Sequence, residues 1–132
     1  MSKLGCVCGH TIVDQNDNLP NKAKFIRDQD TEKFMNYSND IASFIEAIKD
    51  GRRDAWIKEY FSEIYPTKID NSSVIFDIFS VHERNVSGDI YQCENCGRIK
   101  IQIKDTNQYS SFIPEDDRYK NIFVGLHQNN GA

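Results

Sequence analysis

The residues of this 132-residue chain best suited to chemistry are its four cysteines, which occur as two closely spaced pairs. Cys93 and Cys96 are separated by two residues and followed by Gly97, a pattern that is typical of a metal-binding turn, or knuckle. The other pair, Cys6 and Cys8, lies near the start of the sequence. Two turns that each present two thiolates can build the tetrahedral ligand set that zinc prefers. We therefore predict a structural zinc site formed by Cys6, Cys8, Cys93 and Cys96.

Some alternatives to this site stay open at the level of sequence. The one-residue spacing of Cys6 and Cys8 departs from the commoner two-residue spacing, so His10 could replace one thiolate, and iron could replace zinc. The C-x-x-C pattern also occurs in redox proteins, but there it opens a helix, whereas Cys96 leads directly into a predicted strand. A catalytic zinc needs an open coordination position, and four sulfurs leave none.

Composition and charge indicate one domain spanning residues 1–132, because 39% of the residues are hydrophobic and the chain is too short for two independent cores. The formal net charge of -4 makes nucleic acid a poor default partner. The first ten residues contain no apolar run, and no segment approaches the roughly 18 apolar residues of a membrane span. We expect a cytoplasmic protein, and in that reducing compartment paired cysteines favour metal over disulfides.

Helical spacing of apolar residues predicts three amphipathic helices in the middle of the chain. The predicted boundaries are Ser38 or Asn39 to Gly51 for the first, Gly51 to Pro66 for the second, and Asn71 or Ser72 to Gly88 for the third. Their apolar faces are Ile41, Phe44, Ile45 and Ile48; Trp56, Ile57, Tyr60, Phe61 and Ile64; and Val74, Ile75, Ile78, Phe79 and His82.

The pattern changes to strands after Gly88. Strands are predicted at 89–93, 98–104 and 109–113, with an earlier short one at 23–27. In the second of these, strict alternation predicts isoleucines facing the core and a solvated polar face of Arg98, Lys100, Gln102 and Lys104. The fold we predict is α+β, with about three helices packed on a small antiparallel sheet, and a zinc-ribbon-like four-cysteine clamp joining the knuckle at 5–10 to the hairpin at 89–104.

No catalytic constellation is evident in the sequence. His82 and Glu83 begin like a metalloprotease helix, but Val86 stands in place of the second histidine. Nucleophile-elbow and phosphate-loop glycine patterns are also missing. We therefore predict that the protein is not an enzyme and that His82 is a partly buried core residue.

Four segments of the chain together resemble a group of small bacterial proteins. These segments are CVCGH from Cys6, LPNKA from Leu19, GRRDAW from Gly51, and YQCENCGR from Tyr91. Proteins of this size with a ribbon-like metal site and no catalytic residues are similar to immunity proteins encoded beside toxins of contact-dependent growth inhibition and related polymorphic toxin systems.

The resemblance implies a non-catalytic immunity protein, acting as the antitoxin of a toxin–antitoxin pair, that binds a cognate toxin domain such as a nuclease and blocks its active site. Tyr109 and Tyr119 are candidate exposed anchors for this interface. The alternative is a zinc-ribbon module that binds nucleic acid or regulates another protein, for which Arg98, Lys100 and Lys104 would supply phosphate contacts.

Overall fold

The structure is a computed structural model, and it describes residues 2–125 of the chain. Contacts between backbone positions divide the chain into two compact units, one made of residues 1–25 and 88–132 and the other of residues 26–87. The expectation of one domain spanning 1–132 stays a prediction, and the two units are described separately.

The first unit contains the β-structure. Strands β1 (Ser2–Gly5) and β2 (Thr11–Asp14) form an antiparallel hairpin, in which Ser2 is opposite Asp14 and Gly5 is opposite Thr11. A second sheet has the strand order β3-β4-β5-β6, with β4, β5 and β6 antiparallel. Its strands are β3 (Lys22–Ile26), β4 (Ser87–Gln92), β5 (Ile99–Gln102) and β6 (Tyr109–Phe112).

The second unit contains the helices. They are the short helix α1 (Thr31–Met35), then α2 (Tyr37–Lys49), α3 (Arg53–Tyr60) and α4 (Asn71–Val86). Phe44, Ile57, Val74 and Ile78, one or two from each longer helix, are fully buried against one another. The longest of these helices, α4, has 16 residues, and no described helix has the length and apolar character needed to cross a bilayer.

These elements confirm the predicted α+β fold class with three longer helices and antiparallel pairing of strands β4 to β6. The predicted single sheet is wrong in one respect, because β1 and β2 form a separate hairpin. Sequence pattern missed this hairpin since each strand has four residues and only Ile12 is a fully buried apolar residue in them. A single apolar position cannot establish a period of two.

The predicted solvated polar face of β5 is wrong at Lys100. Lys100 is only 3% exposed and donates a hydrogen bond to Ser111 Oγ at 2.7 Å, whereas Ile103, just after the strand, is 44% exposed. Lys100 lies opposite Tyr91, which packs with Ile12 of the N-terminal hairpin. Alternation defines the two faces of a strand but not which of them is covered. Here the face of Lys100 is covered, and Gln92, opposite Ile99 on the other face, is also only 2% exposed.

Glycine ends α2 as predicted, by a specific hydrogen-bond pattern. Gly51 has a φ of 74°, its N–H donates to Ile48 O at 3.2 Å, and the N–H of Arg52 donates to Ala47 O at 2.8 Å. These two bonds make a Schellman motif, which satisfies the last carbonyl groups of the helix. The predicted N-terminal caps of α2 and α4 are wrong, because Asn36 and Asp70 occupy those positions.

The second of the three predicted helices, α3, is shorter than predicted. It ends at Tyr60 instead of continuing to Pro66, and Ile64, which we expected on its apolar face, is 93% exposed. Ile45 of α2 is also outside the core, with 41% of its surface exposed. Apolar faces that are predicted from helical spacing also include residues at the edge of the buried surface, and such edge residues face solvent.

Arg53 holds the irregular segment that follows α3. Its guanidinium donates to Thr67 O at 2.7 Å, to Ile69 O, and to Asn71 Oδ1 at 2.6 Å, while only 23% of its side chain is exposed. Arg52 is 59% exposed, and its guanidinium contacts Asp50 at 3.4 Å. Two adjacent arginines therefore have different roles that their sequence does not distinguish.

We expect Arg53→Ala to lower the free energy of unfolding by about 2–4 kcal/mol, because several hydrogen bonds to a charged group are lost and partly buried carbonyl oxygens lose their donor. Arg52→Ala is the matched control and should cost less than about 1 kcal/mol, as is usual for an exposed ion pair. Urea unfolding followed by circular dichroism measures both. Equal effects of the two substitutions would contradict this role of Arg53.

Candidate metal centre

The four cysteines lie in two turns with the same construction. Cys6 and Cys8 are in the loop between β1 and β2, and Cys93 and Cys96 are in the loop between β4 and β5. In the first loop, Cys6 N–H donates to His10 O at 2.9 Å. In the second, Cys93 N–H donates to Arg98 O at 2.8 Å. Each loop therefore closes by a backbone hydrogen bond from its first cysteine.

Glycine follows the second cysteine in each turn and has a positive φ. Gly9 N–H donates to Cys6 O and Gly97 N–H donates to Cys93 O, both at 2.9 Å. The φ angles are 97° at Gly9 and 82° at Gly97, a region in which a side chain is strained. The same small set of contacts thus holds both pairs of thiols.

The structure brings the four predicted cysteine sulfurs together. All four Sγ atoms lie within 4.8 Å of one another, and the Cys6–Cys96 and Cys8–Cys93 pairs are both 3.6 Å apart. Four sulfurs placed tetrahedrally at about 2.3 Å from an ion would be roughly 3.8 Å apart. The cluster can therefore hold a metal ion with little movement of the side chains.

Hydrogen bonds from neighbouring residues stabilise two of these sulfurs as thiolates. Asn95 Nδ2 lies 3.4 Å from Cys8 Sγ, and this bond, with the backbone N–H of His10, lowers the pKa of Cys8 to about 6. Burial of Cys96 opposes ionisation, but the amide and guanidinium groups of Arg98 outweigh it and lower the pKa of Cys96. Arg98 Nη1 is 3.2 Å from Cys96 Sγ.

Cys93 differs from the other cysteines because it is fully buried, and burial raises the pKa of its thiol to about 11. A metal cation bound among the sulfurs would stabilise the thiolate form of Cys93, because its positive charge displaces the thiol proton. Cys6 and Cys93 also pack with Ile12 and Tyr91 in the apolar cluster of the first unit. The sulfur cluster is therefore part of the core of this unit.

His10, the alternative ligand, has a different partner. Its Nε2 lies 3.0 Å from Glu94 Oε1, and its side chain is 36% exposed. Among the described residues, the group of potential metal ligands contains the four cysteines and not His10. This hydrogen bond is a further contact between the two cysteine turns, beside those made by the sulfurs.

Gln92 is a functional position that sequence reasoning missed. It is 2% exposed, and its side-chain amide donates to Gly97 O at 3.0 Å and to Tyr119 O at 2.6 Å. Its Oε1 accepts a hydrogen bond from the backbone N–H of Ile122 at 3.0 Å. Gln92 therefore connects the second cysteine turn to the segment that follows the sheet. Nothing in the local sequence distinguishes it from a solvent-exposed strand residue.

The two tyrosines predicted as exposed anchors are half-buried. The ring of Tyr109 packs edge-on to Tyr91 with centroids 5.8 Å apart. Arg118 lies over the ring of Tyr119 at 5.1 Å. Both tyrosines are therefore less exposed than predicted, and their role as interface anchors stays a prediction.

His82 lies in the second unit and is partly buried, as predicted. Its Nε2 is 2.6 Å from Asp40 Oδ2, which also accepts a hydrogen bond from the hydroxyl of Tyr60 at 2.7 Å. Burial, reinforced by this carboxylate, raises the pKa of Tyr60 well above its usual value. This pairing could not be predicted from local patterns, because Asp40 and His82 are 42 positions apart.

Comparison with known protein families gives one match. Residues 2–116 match a family model described as a domain of unknown function, DUF8617, and this range contains all four cysteines. No curated protein and no solved structure gives a match.

We expect Cys96→Ser to abolish metal binding and to lower the melting temperature by more than about 10 °C, because the remaining three thiolates lose most of the binding free energy. His10→Ala is the control and should keep one equivalent of metal. Elemental analysis and thermal unfolding of the purified variants measure both effects. Metal loss in His10→Ala, or an unchanged melting temperature in metal-free Cys96→Ser, would contradict the assignment.

We also expect Gly97→Ala to destabilise the protein more than Gly9→Ala. Positive φ costs each alanine about 1–2 kcal/mol. A Cβ at Gly97 would also lie 2.7 Å from Lys120 Cγ and 3.1 Å from its Cα, whereas at Gly9 nothing lies within 4 Å. The overlap should add about 1–3 kcal/mol, measurable by denaturant unfolding of the metal-loaded proteins. Equal destabilisation would show that the segment at Lys120 moves away without cost.

Proposed function

Since the chain belongs to the DUF8617 family, whose description names no activity, we propose its function from the site: it is a zinc-stabilised, non-catalytic immunity protein that binds and neutralises a cognate toxin domain in the cytoplasm. The observation that carries this proposal is the cluster of four cysteine sulfurs within 4.8 Å of one another. Four thiolates occupy every position of a tetrahedral zinc ion, so the metal has a structural role and no position for a substrate.

Zinc is the metal we propose, because it has no geometric preference of its own and accepts the tetrahedral thiolate set that this fold presents. Structural zinc sites contribute about 10–16 kcal/mol of apparent binding free energy. Burial of Ile12 and Tyr91, the other two members of the apolar cluster, contributes about 2–3 kcal/mol each. In this proposal, metal binding stabilises the first unit more than the burial of Ile12 and Tyr91 does.

Exposed apolar side chains support a binding role. Contiguous exposed apolar patches mark interaction sites, whereas apolar residues scattered singly on a surface are ordinary. The most exposed ones in the described chain are Ile64 at 93%, Val7 at 82%, Ile113 at 72%, Phe76 at 67% and Phe112 at 54%.

The choice of a toxin as partner rests on the resemblance to immunity proteins and on charge. The chain carries a formal net charge of -4. Toxin domains that cleave nucleic acid need basic surfaces to hold phosphates, so an acidic inhibitor is attracted to them, and complementary charge raises the association rate. A rigid domain with a specific surface is sufficient for this task.

The nucleic-acid-binding alternative has less support. It depended on a solvated basic face of β5, but Lys100 is 3% exposed and bonded to Ser111, and Arg98 is bonded to Cys96. These two cations are used inside the first unit. Few cations on this strand then remain for phosphate groups, which supply most of the affinity in nucleic-acid binding.

We expect the tagged protein, captured from its native host after nuclease treatment and a wash at moderate salt, to retain a basic protein in a one-to-one ratio. Mass spectrometry identifies that protein. Its gene, expressed alone, should stop growth, and co-expression with this chain should restore growth.

Failure to restore growth would contradict the toxin-neutralising function. Recovery of nucleic acid that disappears on nuclease treatment, with no protein retained, would favour the nucleic-acid-binding alternative. Co-expression of Cys96→Ser is a further control, because loss of the zinc-stabilised fold should also abolish protection.

A further inference from the structure

The second unit carries an open groove of about 740 Å³ that the metal centre does not involve. Its lining includes Asp40 from α2, Tyr60 from α3, and Asp77 and His82 from α4, with Phe61 and Tyr65 from the segment after α3. It therefore combines two carboxylates with a row of aromatic rings.

The two carboxylates of the groove are not equivalent. Asp40 is 2.6 Å from His82 Nε2 and also accepts a hydrogen bond from Tyr60. Asp77 accepts a hydrogen bond from the hydroxyl of Tyr65 and has no ion pair within the described chain, although Arg84 also lines the groove. Asp77 is thus a partly buried negative charge whose partner is a neutral group.

The phenol that contacts Asp77 remains a neutral donor at physiological pH. Burial, followed by the hydrogen bond and charge of Asp77, raises the pKa of Tyr65 to about 12. Within the described residues, the hydrogen bond to Asp77 involves only its Oδ2, which leaves Oδ1 for a second donor. Arginine is the side chain whose planar pair of donors best fits such a carboxylate.

Stacked rings lie beside this carboxylate. The rings of Phe61 and Tyr65 are 4.1 Å apart and 11° from parallel, and the hydroxyl of Tyr65 contacts Asp77. A planar guanidinium stacks on such ring faces and is attracted to their negative potential. The groove therefore offers both a charge and a flat surface to the same kind of cation.

We propose that Asp77, Phe61 and Tyr65 form a binding site for the guanidinium group of an arginine on a partner protein. The inference rests on the proposed function and names the chemistry by which its basic partner is recognised. The guanidinium donates to the carboxylate of Asp77 while its plane lies on the stacked rings.

Two observations favour a protein over a small cationic molecule as the occupant. The groove is open to solvent, so a free cation would keep much of its surface in water. The described chain also has strongly exposed apolar side chains outside the groove lining, Ile64 at 93% and Phe76 at 67%, in the same unit as the groove. A protein that inserts an arginine can extend beyond the groove onto the surrounding surface and exclude water from the buried charge, as around the arginine anchors of protein interfaces.

The test titrates the isotope-labelled protein with N-acetyl-arginine-N-methylamide and, separately, with its neutral isostere N-acetyl-citrulline-N-methylamide. We expect the ring resonances of Phe61 and Tyr65 to shift with the arginine probe, with a dissociation constant on the order of 10 mM. The citrulline probe should bind at least about fivefold more weakly, because it lacks the charge.

Asp77→Asn should weaken arginine binding by a similar factor while keeping an acceptor for Tyr65 and the melting temperature. Glu46→Gln is the matched control, since Glu46 is an exposed carboxylate of α2 outside the groove lining, and it should leave binding unchanged. Equal shifts with arginine and citrulline in the wild-type protein would overturn the inference, even if Asp77→Asn does not fold.

These titrations need no toxin, so their outcome is independent of the growth assay. If arginine does not bind but protection is intact, the inference of an arginine-binding groove is overturned and the proposed function is unaffected. Arginine binding without any neutralised partner would support the groove and contradict the proposed function. With the partner in hand, Asp77→Asn should weaken its binding at least about fivefold, and Glu46→Gln should not.

Discussion

The contact among four cysteine sulfurs is the interaction on which the first unit depends. It joins two turns that are 85 to 90 residues apart in sequence, through pairs of sulfurs 3.6 Å apart. The strands on either side of these turns are short, between four and six residues. Short strands with few buried side chains have little stability of their own. A metal ion that binds all four sulfurs would hold both hairpins at their loops, where sheet hydrogen bonds end.

Hydrogen bonds from buried and partly buried polar side chains add to the stability that the small apolar clusters provide. Gln92 binds three backbone groups and Lys100 binds a hydroxyl, and in the other unit Arg53 binds two backbone carbonyls and an amide. In the described chain, no buried side-chain nitrogen or oxygen is without a hydrogen-bond partner. Such groups are costly when unpaired, so each of them specifies one arrangement of the segments that it connects.

The two units also differ in what they offer a partner. In the first, two of the four cysteines, Cys6 and Cys93, are buried in the apolar cluster of the unit, which suits a structural site. In the second, Asp77 and the stacked rings of Phe61 and Tyr65 line a groove open to solvent. The candidate metal centre and the proposed arginine-binding groove therefore involve different residues, and such a separation would let the surface change to match one particular partner without altering the metal ligands.

The sequence by itself determined the α+β class, the three longer helices and the four cysteines of the cluster, because helical spacing, glycine stops and paired thiols are local signals. Tertiary structure alone decided three features. They are the burial of Lys100 on the polar face of β5, the end of α3 at Tyr60, and the binding of the following segment by Arg53 and not by Arg52. The same is true of Asp40 with His82 and of Asp77 with Tyr65. These features depend on what another part of the chain brings close, and a local pattern carries no information about that part.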